Sequence, residues 1–346
     1  MAVVIKKNIN IWEGKNGPLL IAEIGGNHEG NFIYAKKLLK LAIESNVDIV
    51  KFQIYRGSNL VNRKISPDRY FHFKKFELSK KQHLYLADQC KESSIKYLAS
   101  VWNLEDLKWI NTKLDYFKVG SGDLTAFELL DGICKYKKPI ILSTGLSSLL
   151  EIKKTLNFIK SRNSFYKNKK NISLLQCTSC YPTNSNEVNL NVIKNLKKLG
   201  YVTGYSHHHK DLYPLEIAYA YGARIFEFHF TDTRLNKTFR DHKISLTHKD
   251  VLSFIKKIKT IDLLSGNYKK SPTINEVLSE NIFTFRRGVY LKKRIKKNQI
   301  IKRDNLISLR PLVKGGITSD KYFSLINKRV KKDLKSLEIL KKSDLS

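Results

Sequence analysis

The sequence predicts an α/β protein, a (β/α)₈ barrel followed by a small, mostly-β C-terminal domain. Three observations carry this reading. Short apolar runs rich in Val, Ile, Phe and Leu alternate with segments whose apolar residues recur at helical spacing. Eight such units fall within about 250 residues, the size of a closed barrel. From about Phe285 onward the apolar pieces become too short for further units and are separated by charged turns. Periodicity does not show closure, so a doubly wound open sheet is the alternative.

In chain order the strand candidates are Leu19 to Ile24, Asp48 to Gln53, Lys96 to Ser100, Tyr116 to Val119, Pro139 to Ser143, Ile172 to Cys177, Val202 to Tyr205 and Arg224 to His229. Helical patterns lie between or after them: Ala35 to Ile43, Leu149 to Ile159, Leu190 to Leu199 and Val251 to Ile261. The barrel is expected over residues 1–265. A turn-rich stretch around Ser265-Gly266-Asn267-Tyr268 opens a linker over 266–284, and the second domain occupies 285–346.

Composition narrows the function classes. A chain of 346 residues with 42% hydrophobic and 11% aromatic residues can bury a core, which excludes a disordered tail. No run approaches the roughly 18 to 20 apolar residues that span a bilayer, and Met1-Ala2-Val3-Val4-Ile5-Lys6-Lys7 lacks the order of a secretory signal. Four cysteines in so long a chain do not build a disulfide framework. The expectation is a soluble cytoplasmic protein with reduced thiols and no membrane partner. The net charge of +33 raises a second reading, a basic nucleic-acid-binding protein. Residues 286–346 hold 19 Lys and Arg against 5 Asp and Glu, a net of +14, leaving +19 for the rest. Those charges alternate with apolar residues, as on a solvated folded face, so no nucleic-acid partner is expected.

In a barrel of this kind the reacting groups lie at the C-terminal ends of the strands. Polar residues cluster there: Glu23; Lys51 and Gln53; Ser100; Lys118 with Ser121 and Asp123; Ser143; Cys177 to Tyr181; Ser206 to His209; Glu227 and His229. Lys51 and Lys118 are embedded in apolar strands, where an unpaired ammonium is costly, so they read with the serines as a cradle for a phosphate or carboxylate. His229 alternates with Glu227 and sits one strand from the histidine run, which suggests a two-histidine metal site; pattern alone leaves His207 and His208 both open. A metal-dependent hydrolase on the same barrel is a third reading. Cys177-Thr178-Ser179-Cys180 has redox-pair spacing but ends a strand, so it is read as chance. Asp241-His242-Lys243 follows the last strand and reaches the same mouth.

The segments Ile21-Ala22-Glu23-Ile24-Gly25-Gly26-Asn27-His28-Glu29-Gly30, Val50-Lys51-Phe52-Gln53, Phe117-Lys118-Val119-Gly120-Ser121-Gly122-Asp123, Leu142-Ser143-Thr144-Gly145 and Asp241-His242-Lys243-Ile244-Ser245 resemble, in order, the motifs of the sialic acid synthase family. Arg286-Arg287-Gly288-Val289-Tyr290 and Ser308-Leu309-Arg310-Pro311 are similar to its C-terminal antifreeze-like (SAF) domain. The resemblance implies condensation of phosphoenolpyruvate with an N-acyl hexosamine to a nonulosonic acid, releasing phosphate. It implies Glu23, Asp123 and Lys118 as the catalytic set, with Asp123 as proton carrier. Lys51, Ser100, Lys118, Ser121, Ser143 and Ser206 would hold phosphoenolpyruvate. Glu23, Gln53, Tyr181, Asp241 and Arg310 would face the sugar, and His208 and His229 would bind Mn²⁺, with Mg²⁺ or Co²⁺ as alternatives. It further implies a domain-swapped homodimer in which Arg310 enters the neighbouring subunit's site. Two departures stand out: Ser206-His207-His208 replaces the family's Ser-Asp-His, and Val101 replaces a Pro.

Overall fold

The eight apolar runs form eight parallel strands: β1 (Gly17–Glu23), β2 (Ile49–Ile54), β3 (Lys96–Val101), β4 (Phe117–Val119), β5 (Ile140–Ser143), β6 (Ile172–Gln176), β7 (Val202–His207) and β8 (Ile225–His229). The computed structural model describes residues 10–346; the segment Met1 to Lys7, read above for a secretory signal, lies outside them. Each strand pairs with its successor, and β1 pairs with β8 from Leu19↔Ile225 to Glu23↔His229. The sheet therefore closes, and the open doubly wound alternative falls.

Eight helices follow the strands in turn: α1 (Phe32–Glu44), α2 (Lys80–Glu92), α3 (Leu104–Ile110), α4 (Phe127–Cys134), α5 (Leu149–Arg162), α6 (Asn191–Lys198), α7 (Tyr213–Ala220) and α8 (His248–Ser265). Capping boxes start three of them, Ser79 with Gln82, Ser148 with Glu151 and Thr247 with Asp250. Such caps place α8 three residues ahead of its apolar pattern. Each helix sends an apolar side chain to the layer around the strands: Leu38, Leu86, Leu107, Leu130, Leu156, Ile193, Leu215 and Phe254. Burial of each contributes roughly 1.5–3 kcal/mol. Between β2 and α2 stand two further helices, Gly57–Leu60 and Pro67–Phe76, where the sequence reading placed none. Ser66, Pro67 and Asp68 are the local start signal of the second.

Inside the barrel, Leu19, Ile21, Ile49, Leu98, Tyr116, Ile141, Leu175 and Ile225 pack into a separate cluster that Trp12 joins. The Trp12 indole N–H donates to the Lys170 carbonyl at 2.8 Å. Gly204 on β7 permits this packing, because a Cβ there would lie 2.3 Å from the Ile225 carbonyl oxygen and 2.4 Å from Leu175.

The chain divides into two compact units between Gly266 and Asn267. The stretch read as a linker carries short helices, Ile274–Leu278 and Asn281–Thr284. In the second unit β9 (Gly288–Leu291) pairs antiparallel with β10 (Leu306–Leu309), around a core of Val289, Leu291, Ile295, Ile301, Val330, Leu334 and Leu340. Among the described residues no helix is long and apolar enough to cross a membrane.

Candidate active site

Along each strand the inward positions recur every second residue, and near the C-terminal end they change from apolar to polar. Ile21 gives way to Glu23, Ile49 to Lys51 and Gln53, Leu98 to Ser100, Tyr116 to Lys118, Ile141 to Ser143, and Ile225 to Glu227 and His229. The apolar members fill the barrel, and the polar ones line a cavity of about 570 Å³. Glu23, Lys51, Gln53, Ser100, Lys118, Ser121, Asp123, Ser143, Tyr181, Ser206, His208 and His229 all border it. Asp241 lines an adjoining space together with Gln53 and Tyr181. Arg310 is exposed and lies in the second unit, directly after β10.

Two buried ammonium groups dominate the floor. The Lys51 ammonium donates to the Glu23 carboxylate and lies 3.9 Å from Glu227 Oε1; Gln53 Nε2 donates to Glu23 Oε1 at 2.9 Å. Lys118 Nζ donates to Ser143 Oγ at 2.7 Å and to the Val119 carbonyl at 3.1 Å, with Glu227 Oε2 at 3.6 Å. Burial works against both charges. At Lys51 the neighbouring Glu227 and Glu23 outweigh it and the pKa rises, whereas at Lys118, which has no hydrogen-bonded carboxylate, burial prevails and the pKa falls. Burial would raise Glu227, yet Lys118 and Lys51 hold it below the usual carboxylate range. Its Oε2 has no hydrogen-bond partner, so the cluster keeps one acceptor and one incompletely satisfied ammonium facing each other.

Beside this cluster the Ser121 hydroxyl accepts from the Gly145 N–H at 3.1 Å and lies 3.0 Å from Cys177 Sγ. A Cβ at position 145 would lie within 2.8 Å of Ser179 Oγ, Cys177 Sγ and Ser121 Oγ, so only glycine lets these groups converge. Cys177 and Cys180 are both free thiols, one buried and one exposed. Cys177 is thus a wall of the cavity, its thiol pushed up by burial. Asp123 is half-buried, and burial raises its carboxyl, partly offset by Lys118 and the Trp102 indole.

The rings of His208 and His229 are 5.6 Å apart. His208 Nδ1 lies 2.8 Å from the Thr178 carbonyl oxygen, which can only accept, so the proton sits on Nδ1 and Nε2 keeps its lone pair. Burial lowers His208 to about 4, which leaves the ring neutral as a ligand must be. His229 Nδ1 is buried without a partner and lies 3.9 Å from Asp241 Oδ2. His207 points elsewhere: it is fully buried, and neither ring nitrogen has a partner. Among the described residues no group of three or more His, Cys, Asp or Glu is arranged to hold an ion. The facing rings of His208 and His229 fit an open divalent site whose remaining positions are left to water or substrate.

Several cavity residues were not singled out from sequence. Trp102 stacks on Tyr55 at 5.0 Å, and Arg69 and Phe73 come from the helix Pro67–Phe76. Arg69 and Phe73 sit in a ten-residue helix whose aromatic positions are interrupted by charge, and Trp102 directly follows a strand with no spacing to mark it. Glu227 was visible by its alternation with His229, but its place between the two lysines follows only from closure.

A family pattern described as the NeuB family matches residues 38–270, and one described as the SAF domain matches residues 286–346. The N,N'-diacetyllegionaminic acid synthase of Campylobacter jejuni is 34% identical over 339 residues, covering 93% of this chain and 98% of its own. Human N-acetylneuraminate-9-phosphate synthase is 29% identical, covering 92% of this chain and 90% of its own. The crystal structure of an N-acetylneuraminic acid (sialic acid) synthetase from Leptospira borgpetersenii, in complex with citrate, superimposes with a TM-score of 0.68 at 27% identity, over 77% of this chain and 92% of that one.

Proposed function

Because the chain belongs to the NeuB family and carries a SAF domain, we propose that it is a nonulosonic acid synthase that condenses phosphoenolpyruvate with an N-acyl hexosamine and releases phosphate. The observation that carries this reading is the joining, in one cavity, of the Lys51 and Lys118 ammonium groups with the facing rings of His208 and His229. The lysines and the Ser121 and Ser143 hydroxyls bind a small dianion, and Lys118, the less satisfied ammonium, gains most from it. Ser100 and Ser206 complete the wall around it.

Glu23, anchored by Lys51 and Gln53, is fixed as an acceptor for hydroxyl groups of the sugar, and Tyr181 packs 4.3 Å from the His208 ring on the same side. His208 and His229 would hold a divalent ion, Mn²⁺ or else Mg²⁺ or Co²⁺, which when bound supplies Lewis acidity toward the open-chain aldehyde. In the condensation the C2=C3 electron pair of phosphoenolpyruvate bonds C3 to the aldehyde carbon, whose oxygen takes up a proton, while water adds at C2. The C–O bond to phosphate then breaks as the new C2 hydroxyl becomes the carbonyl, its proton leaving with the phosphate. Asp123, whose raised pKa suits proton exchange, takes the proton that the adding water gives up. Arg310 of the partner subunit would supply planar donors to the sugar in a domain-swapped homodimer. The free thiols among the described residues fit a reducing cytoplasm.

Incubation with phosphoenolpyruvate, Mn²⁺ and a panel of N-acyl hexosamines tests this directly. Sugar-dependent phosphate release is expected, and its absence across a broad panel overturns the reading.

A further inference from the structure

The segment between β8 and α8, residues 231–245, carries Asp241 and is closed at its neck. Thr231 N–H donates to the Leu246 carbonyl at 3.0 Å, and Leu246 N–H donates to the His229 carbonyl at 2.7 Å. Inside the neck the segment is tied to the loop after β1. Asn27 Nδ2, fully buried, donates to the Phe230 carbonyl and to Ser245 Oγ, each at 2.8 Å, and Ser245 Oγ donates onward to the Asp241 carbonyl at 2.7 Å. His242, the residue after Asp241, is also fully buried. Its Nδ1 lies 2.7 Å from Thr231 Oγ1 and its Nε2 lies 3.1 Å from Glu29 Oε1. A carboxylate only accepts, so Nε2 carries the proton and donates to Glu29, while the Thr231 hydroxyl donates to Nδ1.

Glu29 reaches this contact from an unfavourable backbone. Its φ is +52°, a left-handed conformation that glycine adopts freely and a glutamate adopts only against a steric penalty at its Cβ. Gly30 is next in the chain, so a glycine at position 29 would fit the same loop path without that cost. A strained glutamate whose side chain ends on a buried histidine, one residue from a buried carboxylate at the cavity's edge, has a role that the backbone alone does not require.

We propose that Glu29 and His242 form a latch that positions Asp241 for the acceptor sugar, holding the 231–245 segment against the loop after β1. The pair touches no substrate itself; both are positioning residues. This inference rests on the reading of Asp241 as sugar-facing. The latch sits on the side of the barrel where β1 and β8 meet, and none of its hydrogen bonds goes to Lys118, Ser121 or Ser143. Its loss should therefore move the acceptor and leave phosphoenolpyruvate in place.

Glu29→Gly relieves the backbone and removes the latch together, Glu29→Gln keeps an acceptor oxygen for His242, and His242→Phe removes the donor while filling the space. For Glu29→Gly and His242→Phe, the KM for the N-acyl hexosamine is expected to rise at least tenfold with the KM for phosphoenolpyruvate unchanged. Glu29→Gln should restore most of the loss. Amide hydrogen exchange needs no turnover, and in Glu29→Gly it should quicken across 231–245 but not in the strands. Equal rises in both KM values, or loss of thermal stability in step with activity, would assign the pair a merely structural role and overturn the proposal. Unchanged exchange overturns it also. If the wild-type protein shows no condensation but the exchange result holds, the functional reading fails while the latch stands.

Discussion

Lys118 and His208 show what single side chains contribute. With its pKa held below that of an ordinary lysine, Lys118 loses its proton at a lower pH, and only the ammonium form attracts a dianion. The KM for phosphoenolpyruvate should therefore rise as pH increases on the alkaline side, beginning below the usual lysine value, as initial-rate measurements across pH would show. Lys118→Ala removes a charge-assisted contact worth about 1.5–3 kcal/mol, so phosphoenolpyruvate binding should weaken roughly 10- to 150-fold. Among the histidines, His208→Ala or His229→Ala should abolish turnover and lower the bound Mn²⁺ measured after dialysis, with the fold retained by circular dichroism. His207→Ala should keep most of both, because its unpartnered ring makes no hydrogen bond to the cavity. Equal losses at all three would mean that the wrong histidines have been assigned. The sequence identified Lys51 and Lys118 because ammonium groups inside apolar runs need partners. It left His207 and His208 open, since adjacent residues on a strand face opposite sides and only the pairing of β7 with β8 tells which side is inward.

At the scale of elements, β7 and α2 carry separable tests. Alanine at Gly204 drives a methyl into the Ile225 carbonyl and Leu175, and overpacking of this kind costs about 1–3 kcal/mol, measurable by urea unfolding. In α2, His83 is buried with Nδ1 2.9 Å from Tyr97 Oη, and burial lowers its pKa to about 3 against 6.5 in a solvated chain. A depressed folded-state value means that the unfolded chain takes up the proton first. The stability is fully present above pH 6.5 and declines as pH falls from there toward 3, by an amount on the order of a few kcal/mol. His83→Gln should flatten the acid limb of a stability-against-pH curve. The strands were legible because short apolar runs rich in Val, Ile, Phe and Leu stand apart from the helical spacing on either side, as in strands buried on both faces. The helices Gly57–Leu60 and Pro67–Phe76 were not, because one spans barely a turn and the other scatters its aromatic residues among Asp68, Arg69, Lys74 and Lys75, so neither shows a clean apolar stripe.

For the whole molecule, the proposed assembly makes a prediction that a single subunit cannot. Assayed at phosphoenolpyruvate concentrations well below the KM of the Lys118 variant, Arg310→Ala and Lys118→Ala should each be severely impaired, yet heterodimers from co-expression should recover activity, since a swapped pair leaves one site with both residues intact. Demonstrated heterodimers without recovery would place Arg310 in its own subunit's site or away from any site. By itself the sequence determined that strands alternate with helices, that a second domain rich in short strands follows the barrel, and that polar side chains collect at the strand ends. All of these are local properties, written in spacing and residue type along a few turns or strands of chain. The tertiary structure alone decided that the sheet closes, by pairing β1 with β8, and that Glu227 falls between two lysines and Glu29 against His242. Those contacts join residues between 100 and more than 200 positions apart, or turn side chains from separate strands toward one axis. No local pattern encodes such distances, because the free energy that selects them comes from burying the barrel's interior as a whole.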